Sequence, residues 1–197
     1  MNPRASGSPF LLGWHQAARR VQSPNQDQRA AEAKIDMIVV HAISLPPGDF
    51  GGPCIDALFT NTLDPAHHPA LAGLDTLRVS AHFLIDRAGA LTQYVPLEAR
   101  AWHAGVSSFG GVTACNHRSI GIELEGTDDV PFTEAQYHSL EALCAALMLE
   151  YPDITLARIV GHVDIAPGRK TDPGPCFDWI RLRAGVRARR VSASSEG

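Results

Sequence analysis

The sequence predicts a single α/β domain in which helices flank a central mixed β-sheet. Three observations predict it: short apolar, β-branched runs recur along the chain, helical patterns lie between them, and two of the runs have hairpin spacing. A length of 197 residues allows one domain with a substantial core and is short for two. We expect a folded domain over residues 19–187, an irregular lead-in over residues 1–18 and a disordered tail over residues 188–197.

Five short apolar runs are predicted to be the strands. They cover residues 35–40, 77–85, 91–95, 119–125 and 158–160. The turn at residues 86–89 joins the second and third runs as a hairpin. The run SIGIELE alternates between aliphatic residues and Gly121, Glu123 and Glu125. Its aliphatic face is expected to pack into the core, and its other face to meet water or a ligand.

The clearest helix is predicted over residues 134–150. Apolar residues recur there at helical spacing, Thr133 and Gln136 form a capping box, and Pro152 ends the helix. Shorter helices are predicted at residues 54–61 and 177–186, and residues 64–73 form a loop or a single helical turn. The Gly/Ser-rich stretch 102–118 is a long loop, and a loop of this length inside a compact domain is usually functional.

The composition excludes some classes of partner. Hydrophobic residues make up 45% and charged residues 19%, as in an ordinary water-soluble domain. The net charge of −4 gives no reason to expect nucleic acid or a membrane surface as a partner. No segment resembles a signal peptide or a membrane span, and the four scattered cysteines predict reduced thiols. We therefore expect a cytoplasmic protein.

Three residues that can bind a metal follow the predicted strand ends. His41 follows residues 35–40, His162 follows residues 158–160, and Asp172 lies on the loop beyond it. Two neutral imidazoles and one carboxylate form a zinc set with a fourth position open for water, which is typical of a catalytic site. Neighbouring strands can bring these distant segments together, although their spacing alone does not establish it.

The loop GHVDIAPGRKTDPGP also carries Lys170 and Asp164 among its prolines and glycines. Lys170 can place positive charge near a developing oxyanion. Asp164 is either no ligand at all or an outer partner that orients an imidazole. A polar surface loop after a strand accounts for the same composition.

Glu123 is the candidate general base. A carboxylate beside a metal can take a proton from water and pass it to a leaving amine. The alternative is an exposed strand residue, and a histidine after a strand is more often structural than a ligand. The remaining candidates are assigned to solvated or capping roles: His15, His67, His68 and His138.

Five blocks of the sequence together resemble one family. They are VVHAISLPPGDFGGPCIDALFTN, LRVSAHFLI, YVPLEARAWHAGVS, SIGIELEGTD and GHVDIAPGRKTDPGP. In this order they resemble the cytoplasmic, zinc-dependent 1,6-anhydro-N-acetylmuramoyl-L-alanine amidases (AmpD type), within the N-acetylmuramoyl-L-alanine amidase and peptidoglycan-recognition superfamily. The resemblance runs from about residue 19 to residue 177, and it implies the mixed sheet flanked by helices of that superfamily.

The resemblance also implies roles for individual residues. His41, His162 and Asp172 correspond to the Zn²⁺ ligands, Glu123 to the residue that activates water, and Lys170 to the residue that stabilises the tetrahedral intermediate. The cleft for muramyl sugar and peptide corresponds to four positions: Arg78, Trp102, His103 and Ala104. His82 matches the family as well, and we expect it to lie in the cleft or behind the ligands.

The family's reaction is the implied function. These amidases cut the amide between the lactyl group of anhydro-muramic acid and L-alanine in muropeptides during cell-wall recycling, which is linked to β-lactamase induction. The resemblance makes residues 19–187 a catalytic domain, and we expect a monomer. Two departures, Ala42 where the family often has asparagine and Ala114 where it tends to carry a basic residue, bear on substrate affinity.

Two alternatives remain open. A relative that cuts intact cell wall, such as an autolysin or a phage lysin, is disfavoured by the long loops and by the lack of a signal-peptide pattern, although phage enzymes also lack such signals. A muropeptide-binding sensor keeps the cleft and loses a ligand, whereas this chain keeps the whole set and Glu123.

Overall fold

The computed structural model describes residues 8–195, and residues 1–7 of the predicted lead-in and 196–197 of the predicted tail lie outside this range. The strands are β1 (Phe10–Leu11), β2 (Trp14–His15), β3 (Arg19–Arg20), β4 (Gln26–Gln28), β5 (Met37–Ile43), β6 (Phe83–Ile85), β7 (Leu91–Gln93), β8 (Ala99–Ala101), β9 (Ser108–Phe109), β10 (Val112–Thr113), β11 (Ser119–Glu125) and β12 (Ile159–Gly161). The helices are α1 (Cys54–Phe59), α2 (Glu134–Glu150), α3 (His162–Ile165) and α4 (Trp179–Ser195).

One six-stranded sheet organises the domain, in the order β12-β5-β11-β6-β7-β3. The neighbours β12, β5, β11 and β6 run parallel, β7 runs antiparallel to β6, and β3 runs parallel to β7. The predicted mixed sheet is therefore confirmed. Three short two-stranded ribbons, β1–β2, β4–β8 and β9–β10, lie beside it.

Helices α2 and α4 cover one face of the sheet. Ile38, Ile120 and Ile122 on the sheet and Leu140 and Leu182 on the helices belong to one buried cluster. The other face is covered by α1 and the long loops, in a second cluster that includes Phe59, Leu84 and Tyr94. Each fully buried aliphatic side chain stabilises the fold by about 1.5 to 3 kcal/mol.

Two elements match their predicted bounds. Strand β11 covers residues 119–125 and helix α2 covers residues 134–150. The capping box is confirmed: Thr133 Oγ1 accepts from the backbone N–H of Gln136, and Gln136 Oε1 accepts from the N–H of Thr133. These bonds satisfy N–H groups that the first turn of a helix leaves without partners.

Other elements differ from the prediction. Strand β5 extends to Ile43, so that His41 lies inside it, and the run 77–85 is a strand only from Phe83. Helix α4 continues to Ser195, so residues 188–195 are helical rather than disordered. Residues 10–15 form the β1–β2 hairpin within the predicted lead-in.

Candidate metal centre and active site

Three adjacent parallel strands bring the candidate residues to one edge of the sheet. His41 lies near the carboxyl end of β5, Glu123 lies near that of β11, and His162 follows β12 directly. His41 and Glu123 are register partners, and Val40 is the partner of Gly161. The carboxyl ends of parallel strands are where open α/β sheets bind their ligands.

His41, His162 and Asp172 converge as a possible metal-binding group. His41 Nδ1 lies 3.0 Å from His162 Nδ1 and 3.2 Å from Asp172 Oδ2, and His162 Nδ1 lies 3.1 Å from the same oxygen. In a tetrahedral zinc site with bonds of about 2.0 Å, ligand atoms lie about 3.3 Å apart. Both the spacing and the chemistry of this donor set fit a zinc ion.

The loop after β12 holds His162 and Asp172 in place. The N–H of Val163 donates to the carbonyl of Asp172 at 3.0 Å, which closes the loop on itself. The N–H of Gly161 donates to Asp164 Oδ2 at 2.7 Å, so Asp164 caps the start of α3 and is not in the metal-binding group. Asp164 is therefore not a ligand, and its hydrogen bond goes to the main chain rather than to an imidazole.

The hydrogen-bond partner of Nε2 indicates the tautomer of the His162 imidazole. Its Nε2 lies 3.2 Å from the carbonyl oxygen of Ala104, which can only accept a hydrogen bond. Nε2 therefore carries the proton, and the lone pair of Nδ1 faces His41 and Asp172. Arg169 donates to the same carbonyl at 2.7 Å and to that of Val106 at 2.6 Å. These bonds join residues 104–106 to the loop that carries His162 and Asp172.

Burial and mutual contact shift the pKa values of the group. Burial lowers the pKa of His41 to about 4, although Asp172 opposes the shift. Burial alone would raise the pKa of Asp172, but its close contacts with the His162 and His41 side chains outweigh burial and hold that pKa below its ordinary value. Near neutral pH the structure thus favours a neutral imidazole beside a carboxylate, the ionisation states that bind zinc.

Glu123 is a buried carboxyl beside this group. Its Oε2 is buried without a hydrogen-bond partner among the described residues. Burial, and then the negative charge of Asp172, raises the pKa of Glu123 well above its ordinary value, while Lys170 opposes the shift. A raised pKa makes the ionised carboxylate a stronger base, which suits a residue that takes a proton from water. Lys170 itself is exposed.

The expectation that Glu125 faces water or a ligand together with Glu123 is wrong. Every residue of β11 is buried. Glu125 Oε1 accepts from the N–H of Gly51 at 2.5 Å and Oε2 accepts from that of Arg87 at 3.2 Å. Glu125 therefore ties two loops to the sheet, and it does not face the metal-binding group as a second acid.

The four predicted substrate contacts lie in different environments. Arg78 is exposed, and its guanidinium donates to the carbonyls of Asp75 and Leu77. Trp102 is half-buried, whereas His103 and Ala104 are buried against the metal ligands. His103 Nδ1 lies 2.9 Å from Nε2 of His41. Direct contact with the candidate ligands is thus made by His103 and Ala104.

Two further residues lie behind the site. The sequence predicts such a position for His82 but not for Arg29. His82 lies just before β6, and its Nδ1 accepts from the N–H of Gly121 in β11 at 3.0 Å. His82 therefore supports β11 from behind the site. Arg29 follows β4 directly, and no sequence pattern points to it. Its guanidinium lies 3.0 Å from His82 Nε2 and donates to several carbonyls of the 97–119 segment. No local pattern predicts such a contact.

Among the four histidines assigned to solvated or capping roles, His15 is half-buried in β2, and its Nδ1 accepts from the N–H of Ala17. His67, His68 and His138 are exposed, and His68 Nδ1 accepts from the N–H of Ala70 as a cap. Among the described residues, no helix combines the length and the apolar character needed to cross a lipid bilayer.

Comparisons with known proteins show what this chain is similar to. The family model described as N-acetylmuramoyl-L-alanine amidase matches residues 31–175. The chain is 59% identical to the 1,6-anhydro-N-acetylmuramyl-L-alanine amidase AmpD of Citrobacter freundii over 88% of this chain and 92% of that protein. It is 58% identical to the Escherichia coli protein of the same name over 88% of this chain and 94% of that one.

Solved structures share the fold. The crystal structure of a Se-Met AmpD derivative superposes with a TM-score of 0.87 at 58% identity, covering 90% of this chain and 98% of that one. The Escherichia coli amidase AmiD, in complex with anhydro-N-acetylmuramic acid-L-Ala-D-gamma-Glu-L-Lys, superposes with a TM-score of 0.57 at 32% identity, covering 80% and 60% of the two chains.

Proposed function

The chain belongs to the N-acetylmuramoyl-L-alanine amidase family and is an amidase, and from this premise we propose that it hydrolyses the amide between the lactyl group of 1,6-anhydro-N-acetylmuramic acid and L-alanine in muropeptides. Its relatives of nearly equal length bear the name of that activity. The single observation that carries the proposal is the convergence of His41, His162 and Asp172 beside Glu123, whose Oε2 is buried without a hydrogen-bond partner among the described residues.

Zinc is the proposed cofactor, held by Nδ1 of both histidines and by Asp172. When bound, zinc lowers the pKa of a bound water to about 7 and polarises a carbonyl oxygen. The residues of the chain supply rigidity: His41 lies on β5, which is paired on both sides in the sheet, and the other two candidate ligands lie in a segment closed by the Val163 hydrogen bond. Ligands held on rigid elements keep the geometry that catalysis requires.

Glu123 is the proposed general base and acid. Its ionised carboxylate takes the proton of the attacking water, and the protonated carboxyl then gives that proton to the departing alanine nitrogen. Its raised pKa favours the first transfer, from water to the carboxylate, and its position opposite His41 sets it beside the candidate ligands.

Lys170 is proposed to stabilise the oxyanion of the tetrahedral intermediate. Its ammonium is exposed, yet its charge acts on both Glu123 and His41. A cation close to these two groups is also close to the carbonyl oxygen on which negative charge develops. Arg78 and Trp102 remain proposed contacts for the sugar and peptide.

The cellular role follows the substrate. We place the enzyme in the cytoplasm as a monomer whose catalytic domain spans residues 19–187, acting in cell-wall recycling linked to β-lactamase induction. Its substrates are wall fragments rather than nucleic acid or membrane lipid.

Chromatography of purified anhydro-muropeptide tests the proposal. We expect release of the free peptide, about one zinc per chain, and loss of both metal and turnover with a chelator. Intact sacculi serve as the second substrate, and we expect little product from them. Preferential cleavage of sacculi would instead identify a wall-cutting amidase, and tight muropeptide binding without cleavage would identify a sensor.

A further inference from the structure

A chain of hydrogen bonds runs from His41 away from the metal-binding group. His41 Nε2 lies 2.9 Å from His103 Nδ1, and His103 Nε2 lies 3.0 Å from Ser119 Oγ. Ser119 Oγ lies 2.7 Å from the carbonyl oxygen of Cys115. All three side chains are buried. We propose that His103 is a positioning residue, whose Nδ1 accepts from Nε2–H of His41 and so directs the Nδ1 lone pair of His41 at the metal.

The direction of each hydrogen bond follows from the far end of the chain. The carbonyl of Cys115 only accepts, so the single proton of the Ser119 hydroxyl is used there. Ser119 Oγ must then accept from His103, which puts the proton of that imidazole on Nε2. The other nitrogen of a neutral imidazole is an acceptor, so His41 donates from Nε2 and keeps Nδ1 free. A metal-bound histidine commonly makes such an outer hydrogen bond.

The residues packed around the His103 ring restrict its position. A Cβ on Gly121 would lie 2.4 Å from Cγ of His103, so the ring occupies the space that the glycine leaves open. The rings of His41 and His82 meet it edge-on, with centroids 5.0 and 5.9 Å away. Asn116 Oδ1 accepts from the backbone N–H groups of His103 and Ala104 at 3.2 and 2.8 Å, which fixes the main chain.

Two consecutive residues therefore orient both imidazole ligands. His103 acts on His41 through its side chain, and Ala104 acts on His162 through its carbonyl. The first contact can be removed by substitution, whereas the second belongs to the main chain. This assignment rests on the proposed zinc site and gives His103 a role behind the metal rather than against the substrate.

Zinc affinity of the full chain, measured by competition with a chromophoric chelator, tests the inference. His103→Leu removes the acceptor, and we expect binding about 10- to 100-fold weaker, the usual cost of losing an outer partner of a ligand. His103→Asn keeps an acceptor oxygen near the place of Nδ1 and should restore most of the affinity. Ser119→Ala removes only the second link and should cost less than His103→Leu. His138→Leu is the matched control on an exposed histidine and should leave affinity unchanged.

Nitrogen-15 NMR of the zinc-loaded parent gives a reading that needs no substitution. We expect the proton of His41 on Nε2 and that of His103 on Nε2. A proton on His103 Nδ1 would overturn the inference, as would a folded His103→Leu protein that binds zinc as tightly as the parent. Equal losses in the Leu and Asn variants would likewise contradict it, because they would indicate packing rather than the hydrogen bond.

The outcome separates this inference from the proposed function. A parent protein that binds no zinc would end both. A parent that binds zinc and cleaves muropeptide, together with a His103→Leu variant of undiminished affinity, would end only the role of His103.

Discussion

His41 and Glu123 are direct neighbours across two parallel strands: they are register partners on β5 and β11. Register partners in a parallel sheet present their side chains on the same face. The candidate base is therefore placed beside a candidate ligand by the main-chain ladder rather than by a mobile loop. A one-residue shift of either strand would turn one of the two side chains into the opposite core.

Glu123→Gln should separate catalysis from metal binding. The amide has nearly the same shape but cannot take up and return a proton, so we expect kcat to fall by about 10²- to 10⁴-fold. Zinc content should remain near that of the parent, because Glu123 is not in the metal-binding group. Activity is measured by chromatography of muropeptide and zinc by elemental analysis. Asp172→Ala is the contrasting control and should lose both, and near-normal turnover of the Gln variant would exclude Glu123 as the base.

The same substitution predicts a pH-dependent difference in stability of the metal-free protein. Because the pKa of Glu123 is raised, the native state keeps its proton at pH values where the unfolded chain has lost it. The free energy of unfolding of the parent should then fall, relative to Glu123→Gln, as the pH rises above the ordinary carboxyl pKa of about 4.3. The gap should level off above the native pKa.

Denaturant titrations in chelator from pH 4 upward measure this gap as a difference between the two proteins. Histidines with lowered pKa values, such as His41 and His103, are present in both and cancel. A gap that does not change with pH would mean that Glu123 ionises as readily in the native protein as in the unfolded chain.

Local patterns predicted the elements that carry their own signals. Strand β11 alternates strictly and helix α2 has its capping box, and both were predicted to the residue. Strand β5 was predicted to end before His41 because a polar residue interrupts the apolar run. The structure buries that residue because it contacts His162, Asp172 and His103, partners that lie far along the chain.

Tertiary contacts determine the structure where local sequence patterns do not predict it. Residues 77–82 are apolar enough for a strand, yet they bond singly to separate segments: the N–H of Ser80 to Trp102 and that of His82 to Gly121. Burial of Glu125 depends on N–H groups from two loops, which no alternation reveals. The metal-binding group was predicted because its residue types carry the chemistry, whereas its hydrogen-bonded support was not.

Arg29 illustrates that support and gives a stability prediction. Its guanidinium donates to four main-chain carbonyls, those of Leu97, Asn116, His117 and Ser119. Arg29→Ala leaves these oxygens without their donor, and we expect a loss of roughly 2 to 3 kcal/mol in the free energy of unfolding.

The controls use the same assay of chemical denaturation. Arg29→Lys should recover only part of the loss, because an ammonium cannot reproduce the planar fork of donors. Arg78→Ala removes an exposed arginine that bonds carbonyls near itself, and it should change stability by less than about 0.5 kcal/mol. Equal effects of the two alanine substitutions would show that Arg29 does not hold the 97–119 segment.

Gly121→Ala should damage both the fold and the metal site through one contact. The added Cβ would lie 2.4 to 2.7 Å from three atoms of the buried His103 ring, so the ring must move. Overpacking of this kind costs about 1 to 3 kcal/mol. Gly52→Ala is the matched control, because its Cβ would meet nothing closer than 4.0 Å and its backbone is not left-handed, so it should be neutral or slightly stabilising.

Displacing the ring should also weaken zinc binding in the folded Gly121→Ala protein, since His103 is the hydrogen-bond partner of His41. Calorimetry with chelator and zinc titration measure the two effects separately. A Gly121→Ala protein as stable as the Gly52→Ala control, with unchanged zinc affinity, would mean that the ring can leave its place against β11 without consequence for His41.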